Sequence, residues 1–72
     1  MSKCEIKANG FYSRFFTEIK GMHRASIYNT GTVIELVCRH LIAGILLQET
    51  FDTEEDAIKT LVNTGIAWVE VE

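Results

Sequence analysis

Glycine punctuates this chain at intervals that suit a meander of strands. Gly10, Gly21 and Gly31 follow one another about every ten residues, in the pairs Asn9-Gly10, Lys20-Gly21 and Thr30-Gly31. Thr64-Gly65 repeats the pattern near the C-terminus. Asn-Gly is a strong hairpin signal, because a type I′ turn needs positive φ at both central residues. The segments between the turns read as strands. Residues 3–8 alternate Lys3, Glu5 and Lys7 with Cys4, Ile6 and Ala8. Residues 11–19 are rich in aromatic and β-branched side chains, and 23–28 and 33–38 flank the turn at 29–32. Residues 42–51 and 66–71 complete the set, the last with Ala67, Val69 and Val71 on one face and Ile66 and Trp68 on the other.

A helix is expected over residues 53–63. Asp52 or Thr53 supplies an acceptor for N–H groups that have no intrahelical partner, and Glu54, Glu55 and Asp56 lie in the first turn, where the helix dipole favours negative charge. Ala57, Ile58, Leu61 and Val62 form the apolar stripe, and Gly65 suits a left-handed cap. The expected fold class is therefore α+β: an antiparallel, meandering sheet with this helix packed on a face and a C-terminal strand. The alternative is a β-β-β-α-α-β order with residues 32–48 helical. It rests on the helical spacing of Ile34, Val37, Cys38, Leu41, Ile42 and Ile45 and on the capping-box pair Thr32 and Glu35. The flanking turns and the Val/Ile content favour the strand pair.

With 72 residues the chain is expected to be one small domain, residues 1–72, and its 47% hydrophobic content excludes disorder. Both faces of a strand at 33–38 are apolar, Val33 and Val37 on one and Ile34, Leu36 and Cys38 on the other. One helix covers one face of a sheet. The second face therefore points to association, with a homodimer or a larger protein covering it. Two cysteines make no disulfide framework, and the N-terminus has no apolar signal segment, so a reducing, cytoplasmic setting is expected. The longest apolar run, Leu41 to Leu47, is too short to span a bilayer, so no membrane role is expected.

Catalytic and metal chemistry find little support. Cys4, His23, Cys38 and His40 lack the closely spaced pairs of a structural zinc site. Cys38 lies among Ile34, Leu36, Val37 and Leu41, surroundings that raise a thiol pKa rather than activate it beside His40. Glu54, Glu55 and Asp56 fan out by about 100° per residue on a helix and do not converge. None of the glycines forms a phosphate-binding loop. The chain is expected to be no enzyme and to hold no cofactor or metal.

Charge is the remaining clue. Residues 1–30 carry five cations (Lys3, Lys7, Arg14, Lys20, Arg24) against Glu5 and Glu18, and residues 31–72 carry eight carboxylates against Arg39 and Lys59. Two candidate surfaces follow: an acidic one of Glu49, Asp52, Glu54, Glu55 and Asp56, and a basic-aromatic one of Tyr12, Arg14, Phe16, Lys20 and Arg24. On a strand, Phe11, Ser13 and Phe15 share one face and Tyr12, Arg14 and Phe16 the other, so one aromatic set is expected to be core. The favoured function is a non-catalytic protein-binding module that inhibits or adapts a larger intracellular protein. Size and composition resemble those of small phage or mobile-element proteins that bind host enzymes. The alternative is a regulator that binds single-stranded nucleic acid through the basic-aromatic half. The net charge of −3 opposes it.

Overall fold

A computed structural model describes residues 12–19 and 21–71. The described residues form the strands β1 (Tyr12–Glu18), β2 (His23–Asn29), β3 (Ile34–His40) and β4 (Gly44–Phe51), then the helix α1 (Glu54–Asn63) and the strand β5 (Trp68–Val71). The sheet order is β4-β3-β2-β1-β5, and every neighbouring pair is antiparallel. β1 to β4 make the expected meander. α1 then carries the chain from the β4 edge across one face to the β5 edge, which gives a two-layer α+β domain. Residues 34–40 and 44–51 are two strands, so the helical alternative for 32–48 is not adopted. The expected strand at 3–8 and its Asn9-Gly10 turn lie outside the described residues.

The core lies between α1 and the sheet. It consists of Phe16, Ala25, Ile27, Ile34, Leu36, Cys38, Ala57 and Leu61, with Leu47, Phe51, Ile58 and Trp68 packed around it. Ile27 and Leu36 are fully buried at the centre. Alternation explains the choice: Ile34, Leu36 and Cys38 share the inward face of β3, as the period of a strand requires. On α1, Ala57 and Leu61 are one turn apart and both buried. Val62, expected in the same stripe, is 66% exposed. The half-buried Glu54 occupies the inward face one turn ahead of Ile58 and sets the helix rotation.

The helix ends are satisfied by side chains. Thr53 is the N-cap, and its Oγ1 accepts the Asp56 N–H at 3.2 Å. At the other end, the Thr64 hydroxyl donates to the Leu61 carbonyl at 2.7 Å, and the Trp68 indole N–H donates to the same carbonyl at 3.2 Å. Gly65 follows with φ of 80°, the left-handed conformation expected of it. Between β3 and β4 the register shifts at Cys38/Arg39, so that Leu47 faces inward opposite Cys38 while Ile45 faces outward opposite Arg39.

Candidate functional site

The two charge-rich stretches meet inside the molecule. Arg14 projects from the helix side of β1, as Phe16 does. Its Nε and Nη2 donate to Glu70 Oε2 and Oε1 at 2.8 and 2.7 Å, a bidentate pair with β5. Its Nη1 donates to Glu54 Oε2 on α1, and the Tyr12 hydroxyl donates to Glu54 Oε1. Burial pushes the Glu54 carboxyl up, but the hydrogen bonds from Tyr12 and Arg14, with the Arg14 charge, outweigh it and hold the group below its ordinary value. The Tyr12 hydroxyl is raised by its bond to Glu54 and by burial, and the Arg14 guanidinium by its bonds to Glu70 and Glu54.

This geometry redistributes the two expected surfaces. Tyr12 and Arg14 clamp the helix to the sheet, Phe16 is core at 8% exposure, and Lys20 lies outside the described residues. Among the described members of that set Arg24 alone is exposed, and it is on the opposite face. Of the acidic set, Glu54 belongs to the clamp. Glu49, Asp52, Glu55 and Asp56 stay exposed on β4, in the connection after it and in the first helical turn.

The face of the sheet away from α1 is covered by no described residue. Its side chains fall into three rows across the strands, because residues opposite each other in a ladder share a face. The first row is Val69, Thr17, Arg24, Arg39 and Ile45; the second is Val71, Phe15, Ser26, Val37 and Gln48; the third is Ser13, Tyr28, Glu35 and Thr50. Phe15, Ile45, Val69 and Val71 are 46–56% exposed. Phe15 and Tyr28 meet edge to face, with centroids 6.3 Å apart. A shallow depression of about 640 Å³ lies over the first two rows, bordered by Phe15, Tyr28, Leu41, Val71 and the two arginines.

The thiol and imidazoles are on the other side. Cys38 is buried, and burial pushes its thiol up. His40 Nδ1 accepts the Ile42 and Ala43 N–H groups, both at 3.1 Å, which commits that nitrogen to the β3–β4 turn. The His23 ring stands edge-on to His40 at 4.9 Å, and His23 Nδ1 is bonded to Glu18 at 2.8 Å. No three described His, Cys, Asp or Glu side chains are grouped to hold a metal ion. No described helix is long and apolar enough to cross a membrane.

Comparison with protein-family models, curated proteins and solved structures finds no match to this chain. Arg39, Phe15 and Tyr28 belong to neither of the two surfaces expected from the sequence. Arg39 enters there only as one of the two cations of the acidic half. Counting outward from the expected turn at 29–32 sets Arg24 against Val37; the connection is in fact 30–33, Asn29 pairs with Ile34, and that register sets Arg24 against Arg39.

Proposed function

We propose that this chain is a small non-catalytic protein-binding module, of inhibitor or adaptor type, that docks a larger protein on the sheet face away from α1. The observation that carries the reading is that face. It combines exposed apolar side chains with Tyr28, Phe15 and two arginines, the residue types that dominate interface hot spots. Exposed Glu49, Asp52, Glu55 and Asp56 offer a second, acidic contact area at the β4–α1 end. A second reading, a single-stranded nucleic acid on the same face, is favoured by the closeness of aromatic and basic side chains there.

Affinity capture from native lysate with wild type and the Phe15→Ser/Val71→Ser variant tests the reading. A protein captured by the wild type and lost from the variant, with the fold of the variant intact by circular dichroism, is the expected result. An identical set of captured proteins would remove this face from consideration. Nuclease treatment that abolishes capture would favour the nucleic-acid reading.

A further inference from the structure

We infer that the occupant of this face is an acidic protein segment, whose carboxylates, flanked by apolar side chains, seat on the Arg24–Arg39 pair. The inference rests on the reading of the chain as a protein-binding module and names the chemistry of its partner. Arg24 and Arg39 lie directly opposite each other on β2 and β3, and both are exposed. Neither forms an ion pair with a described residue. Glu35, the carboxylate in the third row, is four residues along β3, about 13 Å away at ~3.3 Å per residue. Its Oε2 already accepts from Gln48 at 3.0 Å.

Like charges directly opposite across a ladder destabilise a sheet. The pair is thus a local cost to the fold that an incoming anion removes. A guanidinium presents a planar fork that fits a carboxylate bidentately, and two forks side by side take adjacent acidic side chains. Phe15, Val71 and Leu41 border the pair around the same depression, so apolar side chains flanking the acids have somewhere to pack.

Nucleic acid fits less well. A single strand needs cations following its phosphates and ring faces open for stacking. The rows of this face hold two cations, and Phe15 and Tyr28 turn one ring's edge to the other's face at 83°. The net charge of −3 adds long-range repulsion of a polyanion.

The test titrates fluorescent probes with wild type, Arg24→Gln/Arg39→Gln and Phe15→Ser/Val71→Ser. The probes are a peptide of alternating Glu and Val, the same peptide with Lys for Glu, and oligothymidylate, read by anisotropy. The Glu peptide is expected to bind wild type, to weaken with added salt, and to bind the double arginine variant about tenfold or more less tightly. The Lys peptide should not bind. The melting temperature of the arginine variant should equal or exceed that of wild type, because the cross-strand repulsion is gone. Equal binding of the Glu peptide to the arginine variant, no binding to wild type, or tighter binding of oligothymidylate would each overturn the inference. Lysate capture separates the two levels. A protein kept by the arginine variant but lost from Phe15→Ser/Val71→Ser overturns the acidic segment and leaves the binding module standing. Capture unchanged in both variants removes the module reading itself.

Discussion

Glu54 sits where three elements meet, held by Tyr12 and Arg14 of β1, with Glu70 of β5 on the far side of the same guanidinium. Its carboxyl is held below the ordinary value of 4.5 in the fold. A depressed carboxyl stabilises the native state above its unfolded pKa and loses that stabilisation as pH falls through the folded one. Wild type should therefore lose stability below about pH 4.5. Glu54→Gln should be less stable than wild type at neutral pH by about 1 kcal/mol, a value discounted for partial exposure, and should lose less on acidification. Urea unfolding at neutral and acid pH measures both. Glu18, lowered by its hydrogen bond with His23, leaves a residual slope of the same sign. Equal acid sensitivity in variant and wild type would mean that this cluster does not tie helix to sheet. Sequence reasoning put Tyr12, Arg14 and Phe16 on one strand face, and they share one. It did not show that this face meets Glu54, forty-two residues on from Tyr12, because alternation gives parity and not a partner.

At the scale of elements, local chemistry was enough for most of the fold. The acidic first turn of α1 and the Gly65 cap stand where capping rules put them, and the β2–β3 connection keeps Gly31 at positive φ but spans 30–33, one residue later than expected, with Asn29 in β2 paired to Ile34. The ambiguity over 32–48 arose because nearly every position there is apolar, so helical and strand periodicities fit equally. What decides it is the β3–β4 turn. Gly44 takes φ of 93° and His40 Nδ1 accepts two N–H groups of the turn. Neither feature forms one of the turn dipeptides by which the other turns announce themselves. The end of β3, two residues later than expected, has the same origin. α1 offers the direct test of element-scale energetics. Removing the Thr53 hydroxyl leaves the Asp56 N–H without its acceptor, so Thr53→Ala should cost about 1 kcal/mol by urea unfolding. Thr53→Asp should restore it, since an Asp oxygen caps as well and adds favourable charge at the helix N-terminus. An unchanged midpoint in Thr53→Ala would show that water replaces the cap without loss.

For the whole molecule, the two faces of the sheet make opposite demands. The helix-covered face holds the domain together. The other displays Phe15, Ile45, Val69 and Val71 at about half their full exposure and places two arginines side by side. A chain of this size folds with roughly 4–10 kcal/mol in hand. Leu36, fully buried beneath α1, should cost about 2–5 kcal/mol when cut to alanine, a large share of that total. Val71→Thr, a β-branched exchange on the uncovered face, should stay within about 0.5 kcal/mol. The difference holds only if nothing covers that face in the isolated protein. Were a second copy seated there, Val71→Thr would bury an unpaired hydroxyl and approach the cost of a core change. The melting temperature would then rise with protein concentration, since dimerisation stabilises by mass action. Melting curves of wild type, Leu36→Ala and Val71→Thr over a wide concentration range separate these cases. A sharp loss in Leu36→Ala, near-neutrality in Val71→Thr and no concentration dependence are expected of a face kept open for a different protein.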